Sequence, residues 1–165
     1  MRLSFLSDPK VQHLFSVVDG GGEELRVVGG AIRNALLGEP VHEIDFASTA
    51  LPQVTMARAQ KAGLRCVPTG IDHGTVTIII EGTPFEITTL REDVETDGRR
   101  ATVRFGRNFA HDAARRDFTI NALSLDADGK LHDSVGGLAD IAARRVRFIG
   151  EAGQRIHEDY LRILR

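Results

Sequence analysis

Residues 25–49 read LRVVGGAIRNALLGEPVHEIDFAST, and this stretch decides the fold. Leu25 to Val28 is a short apolar run that predicts a buried strand, Gly29 and Gly30 a tight turn, and Ala31 to Leu37 a helix closed by Gly38. A second strand is expected from His42 to Phe46, where period-2 alternation sends Glu43 and Asp45 to one face and Ile44 to the core. Two carboxylates so close repel each other, and a divalent cation relieves the repulsion. Mg²⁺ in particular is held by one or two carboxylates together with substrate phosphates. The glycine pair ahead of them lets the backbone approach an anion, the helix start behind it offers free N–H groups, and Arg33 adds a guanidinium fork. Taken singly, the acidic triplet also describes a solvated sheet face and the glycines a turn without a ligand. In close succession they point to a phosphate cradle beside a metal-binding carboxylate pair. A third spaced glycine is missing, so this is not the dinucleotide fingerprint, and no GKS or GKT follows for an NTPase phosphate loop.

Working outward, a first helix is expected from Asp8 with Pro9 at its start, and another over 50–63 with Pro52 early and Gly63 as its stop. The run TVTIIIEGTPFEITTL at 75–90 reads as an antiparallel hairpin turning at Gly82, Thr83 and Pro84. Within it Glu86, between Phe85 and Ile87, either faces water or joins the acidic cluster, because a lone carboxylate facing a core is costly. Residues 91–100 are polar, with Asp97-Gly98 as a turn signal, and read as a mobile loop. A helix is predicted over 110–123, a second hairpin over 124–133, a short helix after Gly136-Gly137, a strand over 146–149 and a final helix from Glu151. The sum is a compact α+β unit with a mixed or antiparallel sheet.

With 165 residues, 42% hydrophobic and 27% charged, the chain has the balance of one globular domain. No apolar run approaches the roughly 20 residues that cross a bilayer, and the opening MRLSFLSDPK reaches Asp8 and Pro9 too soon for a secretory segment. A cytoplasmic location is expected. The single cysteine, Cys66, allows neither an internal disulfide nor a cysteine-based zinc site. A net charge of −2 argues against holding nucleic acid by bulk electrostatics. Locally, however, Arg99, Arg100, Arg104, Arg107, Arg115 and Arg116 are opposed only by Asp112, which makes an anion-attracting segment or a solvated arginine face. The chain stops at LRILR within an amphipathic pattern, as an excised piece of a longer protein would.

The ordered set GGAIRNALLG, EIDFAST, TGIDHGTVTI, FEITTLR, RRDFTINAL, GGLADI and EDYLR resembles the head and start of the neck of class II tRNA nucleotidyltransferases. These are the CCA-adding enzymes and bacterial poly(A) polymerases of the polymerase β superfamily, and the likeness runs from about Val27 to the end. It implies a polymerase β-like head over 1–137 and the start of a helical neck over 138–165. By resemblance, Gly29, Gly30 and Arg33 bind the incoming triphosphate, while Glu43 and Asp45 carry the catalytic Mg²⁺ and Glu86 completes the cluster. This sequence has Glu43 where the family usually has Asp, and Asn34 where Asp usually follows the arginine. Arg115, Arg116, Asp117 and Asn121 match the motif that contacts the sugar and phosphates, although adjacent arginines and aspartate also form ordinary surface pairs. Phe118, Ile120 and Leu123 are assigned to the core.

The EDYLR segment implies base recognition by Glu158, Asp159, Arg162 and Arg165, with Asp159 and Arg162 on one helix face reading the Watson–Crick edge of CTP or ATP. Without the family the same pair reads as a helix salt bridge. Residues 91–104 match the family's flexible segment that assists the switch from C to A addition. His73 and Thr75 to Ile79 resemble the CCA-adding subgroup, and no basic GRRF-type element of the poly(A) polymerases is present. The resemblance thus implies template-independent addition of C and A to the tRNA 3′ end from CTP and ATP, with release of pyrophosphate. A poly(A) polymerase, a CC-only or A-only enzyme, and a non-catalytic nucleotide-sensing or RNA-interaction domain are the alternatives. tRNA binding is expected to need helical regions beyond residue 165.

Overall fold

The structure, a computed structural model, describes residues 3–96 and 100–150. Helix α1 (Pro9–Val18) begins where expected, because the Asp8 carboxylate accepts from the Lys10 N–H and Pro9 occupies the first turn. Strand β1 (Leu25–Val28) leads through Gly29 into α2 (Gly30–Leu37), which Gly38 closes in the left-handed conformation. Then come β2 (Asp45–Ser48), α3 (Pro52–Lys61) and β3 (Arg65–Gly70), the last a strand with no counterpart in the sequence reading. Strands β4 (Thr75–Ile80) and β5 (Thr83–Thr89) form the expected hairpin. Its turn lies at Glu81-Gly82, both with positive φ, rather than over Gly82 to Pro84.

These strands join β8 (Ser124–Leu125) and β9 (Leu131–His132) in one sheet of order β3-β4-β5-β2-β1-β8-β9. Every pairing in it is antiparallel except β2 with β5. One face carries the main core. Leu14, Val18, Leu25, Val27, Phe46, Val76, Ile78 and Ile87 are buried there, and the Phe46 ring makes edge-on contacts with Phe15 and Phe85. On the other face Val28, Ala47 and Leu90 form a small cluster, with Phe109 against them. That polar face is left for chemistry.

Three sequence expectations change. The segment from Arg91 is not a loop but an antiparallel ribbon of β6 (Arg91–Thr96) and β7 (Arg100–Phe105), whose Asp97-Gly98 turn lies outside the described residues. Charge and the Asp97-Gly98 turn signal hid it, since REDVET and the arginines of RATVRF outweigh the short alternation of Ala101, Val103 and Phe105. The helix over 110–123 is only α4 (Phe109–Ala114), followed by bends and a 3-10 turn at Thr119–Asn121. Phe118 and Leu123 are buried and Ile120 is partly so. The strand expected over 146–149 contributes a single bridge, Phe118 to Phe148, and the helix expected from Glu151 lies outside the described residues.

Helix α5 (Gly137–Ala142) packs on that 3-10 turn so closely that a Cβ on Gly137 would sit 2.3 Å from the Thr119 carbonyl oxygen. At this contact the buried Asp140 accepts from the Thr119 hydroxyl and from Arg147 at 3.0 Å, with Arg145 at 3.2 Å. The Thr119 hydrogen bond, then Arg147 and Arg145, hold its carboxyl below the ordinary value. A lowered folded-state pKa stabilises above the unfolded value and is lost as pH falls through the folded one. Asp140→Asn should therefore lower the thermal midpoint at pH 7, and the gap to the parent should close as pH drops below about 3.8 in paired melts.

Candidate functional site

The site forms where β1 and β2 end together. Their register places Val28 opposite Asp45, and the parallel register of β2 with β5, Phe46 beside Ile87, brings Glu86 alongside Asp45. Glu86 in turn faces Thr77 across β4. Since Phe46 and Ile87 point into the core, Asp45 and Glu86 share the opposite, polar face.

Glu43 is placed differently from the expectation. Strand β2 begins only at Asp45, and Glu43 lies exposed in the irregular segment before it. On the β1 side the reason is local: past Val28 the chain turns away at Gly29, so β1 offers residues 43 and 44 no partner, and the pairing with β5 begins only at Phe46. Ile44 is partly buried against the core as expected. All three acids still line one groove of about 1120 Å³. Partial desolvation first, then the Glu86 and Glu43 charges, raise the Asp45 carboxyl above its ordinary value, and Arg116 opposes them. As placed, the described residues contain no group of three acidic, histidine or cysteine side chains converged on one ion position. Asp45 and Glu86 remain as neighbouring carboxylates.

On the other side of Asp45, a cavity of about 380 Å³ is lined by Gly29, Gly30, Arg33, Asp45, Arg115, Arg116, Asp117 and Asn121. Residues that the sequence separates into three motifs therefore share one wall. Gly29 makes the turn with φ +79° and ψ −139°, a region open essentially to glycine, and a Cβ there would lie 3.9 Å from the Arg116 guanidinium. Arg33 donates from Nη1 to Asn121 Oδ1 at 2.6 Å and from Nε to Asn34 Oδ1 at 3.0 Å. Asn34 also donates to the Pro40 carbonyl at 3.1 Å, so it fastens both Arg33 and the loop leading to the acids. The buried Asp117 carboxylate accepts from its neighbour Phe118 N–H at 2.7 Å and from Asn121 at 3.3 Å.

Asp112 is a site residue that the motif reading missed. Buried on α4, it accepts from Arg116 at 3.2 Å through one oxygen and from the Arg91 N–H at 3.0 Å through the other. Its four-residue spacing from Arg116 on a helical stretch was the available signal. Glu158, Asp159, Arg162 and Arg165 lie outside the described residues.

Guanidinium groups beside a glycine turn, with a carboxylate pair at the edge, suit an anionic, phosphate-bearing group rather than an uncharged one. Comparison with known proteins agrees. The Poly A polymerase head domain family matches residues 25–147, and the chain belongs to that family. Human mitochondrial CCA tRNA nucleotidyltransferase 1 is 50% identical over 143 residues, 86% of this chain and 33% of that protein. The CCA-adding enzyme of Leuconostoc citreum (strain KM20) is 43% identical over 169 residues, 100% of this chain and 41% of its own length. The crystal structure of the Bacillus stearothermophilus CCA-adding enzyme in complex with CTP superposes with a TM-score of 0.83 at 36% identity, covering 94% of this chain and 37% of that one. The chain thus spans between about a third and two fifths of the length of these relatives. No helix among the described residues is long and apolar enough to cross a membrane.

The Gly29 turn sets a stability test. Gly29→Ala should cost about 1–3 kcal/mol of folding free energy in urea titrations, from backbone strain alone. The same change at Gly20, with open space around its Cβ and φ +91°, should carry a comparable cost from strain alone.

Proposed function

We propose that this is the head domain of a tRNA nucleotidyltransferase that adds C and A to the tRNA 3′ end from CTP and ATP, releasing pyrophosphate. The observation that carries the reading is the shared cavity joining Gly29, Arg33, Arg115, Arg116, Asp117 and Asn121 at the edge of Asp45. Similarity to proteins named as CCA-adding enzymes supports C and A as the added nucleotides over a poly(A) tail.

In this reading Arg33, Arg115 and Arg116 bind and orient the triphosphate, with the Gly29-Gly30 backbone letting the phosphates approach. Asn121 keeps the Arg33 fork in place, and Asp117 accepts a hydrogen bond from the 2′-hydroxyl that deoxyribose lacks. The donor chemistry fits Mg²⁺. Two adjacent carboxylates, one of them resisting ionisation because of partial desolvation and then its acidic neighbours, match an ion that takes one or two carboxylates and completes its shell with phosphates. Asp45 and Glu86 would hold it from adjacent strands and Glu43 from the rim of the same groove. When bound, the ion neutralises triphosphate charge and makes the attacking 3′-hydroxyl more acidic. Base selection by Glu158, Asp159, Arg162 and Arg165 belongs to the proposal on the strength of the EDYLR motif. So do grip on the tRNA body by regions beyond residue 165 and a cytoplasmic location, for which the lone cysteine is the support.

The test is incorporation of labelled CTP, ATP, UTP and GTP onto tRNA lacking its 3′ end, by the full-length protein with Mg²⁺ or with chelator. Two C additions and one A are expected, abolished by chelation, whereas long A tracts on varied RNA would transfer the reading to a poly(A) polymerase. Tight CTP binding without turnover would favour a sensor. Asp45→Asn should reduce incorporation at least about 100-fold, the scale of losing electrostatic stabilisation at the reacting centre. Glu43→Gln, outside the strand, should cost less in the same assay.

A further inference from the structure

Asp112 joins the Arg116 side chain to the base of the β6–β7 ribbon. It is 8% exposed and sits one helical turn before Arg116. Through Oδ2 it accepts from Arg116 Nη2 at 3.2 Å, and through Oδ1 from the backbone N–H of Arg91, the first residue of the β6–β7 ribbon, at 3.0 Å. Asp112 lines the small cavity of about 300 Å³ between that ribbon base and the Asp45–Glu86 edge. Arg116 is the charge that acts on Asp45 against the acidic cluster, and its guanidinium lies over Gly29.

We propose that Asp112 is a positioning residue for nucleotide binding: it fixes the Arg116 guanidinium over the Gly29 turn and anchors the base of the β6–β7 ribbon on the same carboxylate. An arginine side chain has several rotatable bonds, so orienting it on binding costs conformational entropy that a preformed, buried acceptor removes in advance. The carboxylate also offsets part of the positive charge of Arg115 and Arg116 while the site is empty, which limits their mutual repulsion. A ribbon that shifts at its base must move the Arg91 N–H, and through Asp112 the shift reaches Arg116. The coupling is local, one carboxylate with two partners.

This inference rests on the nucleotide site proposed above, and the test separates the two. Asp112→Asn in the full-length protein keeps an oxygen for the Arg91 N–H and removes the charge that Arg116 requires. The KM for CTP and for ATP should rise about tenfold, as expected for one charge-assisted hydrogen bond. The KM for tRNA should stay within about twofold and the melting midpoint should stay near that of the parent, outcomes a merely structural role would not produce. Asp112→Glu, which retains the charge, should recover most of the affinity. In an Arg116→Ala background the Asp112→Asn change should add nothing further. Additive losses in the double variant, or a KM for tRNA that rises with that for nucleotide, would overturn the positioning role. So would variants that merely unfold. If Arg116→Ala itself left both nucleotide KM values unchanged, the site assignment would fall and this inference with it.

Discussion

The parallel pairing of β2 with β5 is the constraint on which the rest of the structure depends. It is the one parallel contact in an otherwise antiparallel sheet, and it inserts β2 between β1 and a strand distant in sequence. Phe46 and Ile87, paired there, bury their side chains on the core face, where Phe46 also meets Phe15 and Phe85. A slip by one residue would exchange the faces, sending Phe46 to solvent and Asp45 into the core. The energetics of the core therefore hold the acidic edge in register, and packing on one side of the sheet fixes chemistry on the other.

The second consequence concerns where β1 ends. Its antiparallel pairing with β2 stops at Val28 and Asp45 because Gly29 takes a backbone conformation that side chains resist. The same turn that terminates the ladder starts α2, so free N–H groups, Arg33 and the carboxylates come to one rim. It also leaves Glu43 without a partner on β1. The acidic triplet is thus divided, one member in the ladder and one in the loop that Asn34 ties to Arg33 through Pro40.

Charge is handled by pairing rather than by excess. Arg107 donates to Glu23 at 3.0 Å and to the Gly22 carbonyl at 2.7 Å, which fastens the chain leaving the ribbon to the loop before β1. Arg26 lies 3.9 Å over the Phe109 ring, and Arg58 holds the carbonyls of Val18, Gly20 and Gly21. Arg107, read from the sequence as part of an anion-attracting segment, thus serves as a structural clamp, as do Arg26 and Arg58 outside that segment. Arg115 and Arg116 remain at the cavity beside Asp45.

Much of this was legible in the residues. Periodicity and punctuation located α1, α2, α3, the β4–β5 hairpin and the Gly29 turn, because helix caps, proline starts and glycine stops act within a few residues of where they occur. The motifs identified all eight residues lining the cavity beside Asp45, and the family they resemble is the one to which the chain belongs. Other features had no local signature. The first strand of the ribbon, REDVET, is too charged to read as a strand, β3 lies at a sheet edge, and beyond α4 the chain forms an isolated bridge between Phe118 and Phe148 instead of continuing the helix. By itself the sequence determined which side chains carry charge, which turns require glycine and which chemistry they suit. Only the tertiary structure decided that Asp45 stands beside Glu86 rather than Glu43, and that Asp112 meets Arg116 and Arg91 together. Those contacts are set by register and burial between distant segments, and no local pattern encodes them.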